Sequence, residues 1–278
     1  MIGLIDVGGG TRGIYGCAVL DRCLDEKVAF DYAVGVSAGS ANCISFLAGQ
    51  KGRNYTFYTE YAQRPAYMSF GNYFKSGSFI GLDYIYATLT NSDGENPLDY
   101  DAFQASAAGF EVVATDAHSG APVYFEKDGM EKDRYGFLMA SCCVPVVCRP
   151  QEFNGGLYFD GGVSDPLPYK RALEAGCDKI VVILTKPVDA KLSGTRNAVA
   201  GALLQRRYPK AAKALAARNR VYARQLEEVL KLQKDGKALV IAPDHVENMK
   251  TLSSDTTGLK KLYEKGYHDG KRISGFLS

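Results

Sequence analysis

Twice within about fifty residues the chain runs from an apolar stretch through a glycine-rich corner into helical spacing. Ile2–Val7 leads into Gly8-Gly9-Gly10-Thr11-Arg12-Gly13, after which Ile14, Ala18, Leu20 and Leu24 fall on one side of a helix. Asp31–Val36 leads into Gly35-Val36-Ser37-Ala38-Gly39 and a second helical stretch over Ser40–Gly49. Strand, loop, helix, strand is a βαβ unit, whose strands lie parallel and whose crossover is right-handed. A parallel sheet is covered by helices on both faces, so the chain is restricted to an α/β architecture. Its 278 residues suit one or two domains.

The later elements agree. Phe110–Thr115 and Pro122–Glu126 flank His118-Ser119-Gly120 and read as a hairpin. Arg53–Tyr61, Leu82–Leu89 and Tyr135–Cys142 carry helical spacing, and Asn91–Pro97 is a turn cluster. Leu157–Phe159 is a strand that ends in Asp160-Gly161-Gly162. Pro168–Ala175 is a helix closed by Gly176, and Lys179–Thr185 is a buried strand. Ala198–Leu232 is helical with a break at Pro209, Leu239–Ala242 is one more strand, and Leu259–Phe276 reads as a closing helix. The expected division is 1–190 as a catalytic domain and 191–278 as a mainly helical region packed on it or extending it.

Seven cysteines, an odd number without paired C-x-x-C spacing, fit reduced thiols and no zinc site. No apolar run approaches the ~18 residues that span a bilayer, and the N-terminus lacks the charged start of a leader. A cytoplasmic location is expected, with peripheral contact at the inner membrane surface as its extension. The net charge of +2 is unevenly spread. Residues 1–185 hold 14 Lys and Arg against 22 Asp and Glu, whereas residues 186–278 hold 19 against 9. A basic C-terminal third suits an anionic lipid surface, a solvated helical face or the acidic first part of the chain; nucleic acid is not the partner expected.

Gly35, Ser37 and Gly39 form G-x-S-x-G between a strand and a helix, the setting of a nucleophile elbow. Glycines beside the serine let strand and helix approach, and a helix N-terminus favours a developing oxyanion. Gly8–Gly13 has the form G-x-G-x-x-G, which also suits a dinucleotide site. That reading needs an acidic residue at the end of the second strand, and the second strand delivers Ser37 instead. The loop therefore reads as backbone N–H donors facing Ser37 from the adjacent strand. Two residues compete for the base. His245 follows a strand and Asp244, as a triad histidine does; Asp160 closes a strand and is exposed by Gly161 and Gly162. His118 and His268 lie in a turn and a polar helix.

GGGTRG, GVSAGS, Asp160-Gly161-Gly162 and the stretch Ala140-Ser141-Cys142-Cys143-Val144-Pro145 occur in that element context over about residues 2–185. Together they resemble the patatin-like phospholipase family. The resemblance implies a three-layer α/β/α fold with a mostly parallel central sheet, here followed by a helical C-terminal extension. It implies hydrolysis of lipid acyl esters by a Ser–Asp dyad without histidine, on phospholipid or lysophospholipid, with no metal or organic cofactor. Carried over, Ser37 is the nucleophile and Asp160 the base. The N–H groups of Gly9, Gly10 and Thr11, with Ala38, form the oxyanion hole within the Gly8–Gly13 loop. Arg12 matches a position that is often Arg or Lys in the family, while Asp165 stands where the family often has Asn. The other readings are a Ser–His acyltransferase or α/β-hydrolase using His245, and a lipid-binding protein without activity.

Overall fold

The computed structural model describes every residue except 192, 193, 247, 248, 250 and 278, together with the side chain of residue 196. In chain order the elements are β1 (Ile2–Asp6), α1 (Ile14–Asp25), β2 (Tyr32–Val36), α2 (Ala38–Leu47), α3 (Arg53–Thr59), α4 (Phe70–Ser76), α5 (Tyr100–Ala105), β3 (Gly109–Asp116), β4 (Pro122–Glu126), α6 (Gly136–Cys142), β5 (Gln151–Phe153), β6 (Gly156–Asp160), α7 (Tyr169–Glu174), β7 (Lys179–Ile183), α8 (Thr195–Leu204), α9 (Pro209–Lys234), β8 (Ala238–Ile241), α10 (Thr256–Asp269) and α11 (Arg272–Leu277).

The strands form one eight-stranded sheet in the order β5-β6-β3-β2-β1-β7-β8, with β4 also paired to β3. The run β3-β2-β1-β7-β8 is parallel, and β4, β5 and β6 add antiparallel pairs. The parallel strands are near-continuous apolar runs because both of their faces are covered. Successive side chains of a strand point to opposite faces. Leu4, Ala33, Phe110, Val112, Val181 and Ile183 join one buried cluster, with α1, α2, α6 and α10. Their neighbours Ile5, Val34, Val113, Ile180 and Val182 join the other, with α7 and α9. The result is three layers, α/β/α.

Three local differences from the sequence reading have physical causes. The expected closing helix Leu259–Phe276 divides into α10 and α11 around Gly270, a weak helix former, whose N–H caps the end of α10 through the Gly266 carbonyl. Residues 82–89 hold a π-turn over Tyr84–Thr88 in place of a regular helix. β5 spans three residues, too few for a period to show. The C-terminal region also enters the sheet, since β8 lies parallel to β7.

Candidate active site

Ser37 follows β2 and caps α2 with φ 56° and ψ −132°, backbone that non-glycine residues rarely adopt. The chain doubles back tightly here. A β carbon on Gly35 would sit 2.4 Å from Ser40 Cα, and one on Gly39 would sit 2.2 Å from the Asp6 carbonyl oxygen. The strained serine is held from outside its own strand. The Ser37 N–H donates to Ser141 Oγ of α6 at 2.8 Å, and Ser141 Oγ lies 3.1 Å from Ser40 Oγ. Ser141 is fully buried.

The glycine loop lies against this turn. Gly8, Gly9 and Gly10 all have positive φ, and a β carbon on Gly8 would sit 2.3 Å from the Val36 carbonyl oxygen. Asp6 ties the two corners together from beneath. It is fully buried, and it accepts from the Gly8 N–H at 2.9 Å and from Asn42 Nδ2 at 2.9 Å. Asn42 Nδ2 also donates to the Gly13 carbonyl at 2.8 Å. Burial pushes the Asp6 carboxyl up to about 6 against the pull of these two donors.

Asp160 reaches Ser37 through strand register. Val113 of β3 pairs with Val36 on one side and Tyr124 on the other, and the next residue, Ala114, pairs with Asp160. β6 therefore occupies the same edge of β3 as β2 and begins where β2 stops. Its last residue, Asp160, arrives beside the serine that follows Val36. The Asp160 N–H donates to the Cys143 carbonyl at 2.8 Å, and Asp160 Oδ1 accepts from the Gly162 N–H at 2.8 Å. Burial raises the Asp160 carboxyl above its ordinary value, opposed by the Ser37 hydroxyl, the Gly162 N–H and the Arg218 guanidinium.

The remaining sequence candidates divide. Thr11 lies in the loop, but its N–H donates to the Thr251 carbonyl at 2.9 Å. Arg12 Nη2 donates to Thr251 Oγ1 at 3.3 Å. Gly9, Gly10, Ala38 and Gly162 line one cavity with Ser37 and Asp160, and Gly161 packs against the Val113 carbonyl. None of the three histidines lines that cavity. His245 is exposed and pairs with Asp244 at 2.8 Å, His268 is exposed, and the His118 ring packs on Tyr208. Among the described residues no group of three or more His, Cys, Asp or Glu is placed to hold a metal. Asp165 is buried and accepts from Tyr124 Oη at 2.8 Å and Gln225 Nε2 at 2.6 Å, which fastens α9 to the sheet.

Long-range partners at the site carry no local sequence signal. Arg218 of α9 donates through Nε to the Gly162 carbonyl at 2.6 Å. The Lys186 ammonium lies 4.0 Å from the centre of the Tyr222 ring. Burial, with the Arg218 and Arg12 guanidiniums, lowers Lys186 to about 8. The cavity has a volume of about 760 Å³, and its walls include Phe57, Tyr58, Leu82, Ile85, Leu138 and Val144. That size and mainly apolar lining suit a long acyl chain.

The sequence pattern of patatin-like phospholipases matches residues 7–173. The chain belongs to that family. A second pattern, a domain of unknown function (DUF6363), matches residues 208–274. The uncharacterized protein YjjU of Escherichia coli is 29% identical over 191 residues, 67% of this chain and 52% of YjjU. The chain thus spans about half the length of that relative. An uncharacterized NTE family protein of Mycobacterium tuberculosis is 31% identical over 74 residues, 27% of this chain and 19% of its own. VipD from Legionella pneumophila shares the fold, with a TM-score of 0.50 and 16% identity over 98% of this chain and 66% of VipD. Among the described residues no helix is long and apolar enough to cross a membrane.

Proposed function

We propose that the chain hydrolyses acyl esters of phospholipids or lysophospholipids through Ser37 and Asp160. The observation that carries this reading is the arrival of Asp160 beside Ser37, in the wall of a mainly apolar cavity. Ser37 Oγ attacks the ester carbonyl and Asp160 takes its proton. The oxyanion rests on the N–H groups of Gly9, Gly10 and Ala38, since the Gly8 and Thr11 N–H groups already donate to Asp6 and Thr251. Collapse expels the alcohol with the proton from Asp160 and leaves an acyl-enzyme. Water, deprotonated by Asp160, then attacks the acyl carbon; the bond to Ser37 Oγ breaks, Oγ takes the proton back from Asp160, and the fatty acid leaves. The raised Asp160 carboxyl makes it a better proton acceptor than an ordinary carboxylate. Arg218, which lines the cavity beside the Asp-Gly-Gly turn, favours a substrate that carries phosphate. Residues 1–190 form the catalytic unit in this reading, and 191–278 an extension whose basic charge supports peripheral membrane contact.

p-Nitrophenyl ester hydrolysis by wild type, Ser37→Ala, Asp160→Asn and His245→Ala tests it. The first two variants should lose turnover and the third should retain it. Loss in folded His245→Ala would move the base to histidine. A wild type that neither turns over ester or lipid nor labels with a fluorophosphonate would leave a lipid-binding protein.

A further inference from the structure

Large apolar side chains stand exposed on and beside the segments that wall the cavity. Phe70 is 73% and Phe74 86% exposed, one turn apart on α4. Val199 is 58% and Leu203 65% exposed, one turn apart on α8, and both line the cavity. Val146 is exposed and also lines the cavity. Its φ is 71°. A β-branched residue in that region is strained by about 1–3 kcal/mol, and such strain gathers at functional surfaces.

The α4 segment and the Val146 corner are joined directly, and α8 shares the cavity wall with them. Met68 and Ile80, which flank α4, pair in a β-bridge and line the cavity. The Phe70 ring packs edge-on against Phe79 at 5.4 Å, and the Phe79 N–H donates to the Val147 carbonyl at 2.7 Å. Residues 66–80, 142–150 and 195–208 contain no Asp or Glu. Lys75, Arg149, Arg206 and Arg207 within them are exposed. An apolar rim set in one sign of charge fits a particular partner: the headgroup layer of an anionic lipid surface, with the apolar side chains below it.

We infer that α4, the Val144–Arg149 corner and α8 form the face by which the protein docks on an anionic lipid surface, with the cavity opening into the lipid. The inference takes the cavity as an acyl-chain pocket, as in the proposed function, and goes beyond net charge by placing the contact on named residues. α4 belongs to the first part of the chain, so the docking face is shared between the family domain and the basic extension. Exposed aromatics with a flanking lysine then anchor, and arginines after α8 read the charge.

Vesicle co-sedimentation tests the face without reference to turnover. The 278-residue chain carrying Ser37→Ala, which leaves the lipid intact, is compared on phosphatidylcholine vesicles and on phosphatidylcholine with one-third phosphatidylglycerol. Partitioning to the anionic vesicles should exceed that to the neutral ones and fall with salt. Phe70→Ser/Phe74→Ser should lower it more than tenfold. Arg206→Gln/Arg207→Gln should lower it about fivefold per residue at low salt. All four side chains are exposed, so an unchanged Tm certifies the variants. Equal binding to both vesicle types, or partitioning untouched by the Phe pair, overturns the inference. So does absence of vesicle binding with a Phe-dependent shift in size-exclusion volume, which makes the face a contact between copies. An inactive wild type that still binds by this pattern defeats the hydrolase reading and leaves the docking face standing.

Discussion

Ser141→Ala isolates what holds the nucleophile turn in place. The Ser141 hydroxyl accepts from the Ser37 N–H at 2.8 Å and meets Ser40 Oγ at 3.1 Å, in a position with no exposed surface. Alanine removes the acceptor and leaves no room for water to replace it. An unpaired buried N–H costs about 1–3 kcal/mol. In a chain of this size that corresponds to a Tm lower by roughly 3–10 °C. Catalysis should suffer separately. Ser37 sits at φ 56°, and without the α6 anchor the turn relaxes toward ordinary backbone. A displacement of the nucleophile by ~1 Å costs on the order of 100-fold in rate. Calorimetry and ester kcat/KM are measured on Ser141→Ala, Ser40→Ala and the double variant. Ser40→Ala keeps the bond to Ser37 and should be the milder single change, with non-additive behaviour in the double. A Ser141→Ala protein within 1 °C and twofold of wild type, margins of about the size of measurement error, would refute the role of this bond.

Three further outcomes follow from the geometry. Arg218→Gln removes a charge that favours ionised Asp160, so the Asp160 carboxyl rises further and the acid limb of the kcat/KM profile moves to higher pH; an unmoved limb contradicts that coupling. Gly39→Ala places a β carbon 2.2 Å from the Asp6 carbonyl, and urea unfolding should show a loss of at least about 2 kcal/mol. Asp6 holds its proton up to about 6 in the folded state against 3.8 unfolded. The folded state binds more protons between these values, so its contribution to stability, about 3 kcal/mol, is present below the lower value and lost as pH rises through the upper. Urea titrations of Asp6→Asn across that window should lack this part of the slope.

What could be read from sequence was whatever local chemistry dictates. β1, β2, β3 and β7 are apolar runs with no competing pattern, and the corners at Gly8–Gly13 and Gly35–Gly39 are marked by residues that only tight backbone requires. Pro209 announced the start of α9. α4 leaves little trace in the sequence because Gly71 and its aromatics blur helical spacing. Partners contributed from far along the chain left no trace at all. Thr251 meets Thr11 across 240 positions and Arg218 meets Gly162 across 56, and neither stretch has a motif of its own. The register that brings β6 onto the upper edge of β3 is likewise a tertiary fact. It depends on β2 stopping at Val36, which no periodicity within β6 records.

The placement of β1 bears on how the protein is made. β1 is made before both strands that flank it, and it ends up inside the sheet with β2 on one edge and β7 on the other. β2 is available within some thirty residues, whereas the opposite edge stays open until Lys179–Ile183 has left the ribosome. Over the interval between β2 and β7 the nascent chain therefore presents an unpaired apolar strand edge, a template for joining other chains. Closing a loop of that length before any pairing rewards it also slows folding. Chaperone demand should thus be set by the interval between β1 and β7, and insertions within it should lower the yield of folded protein even where they leave the finished structure undisturbed.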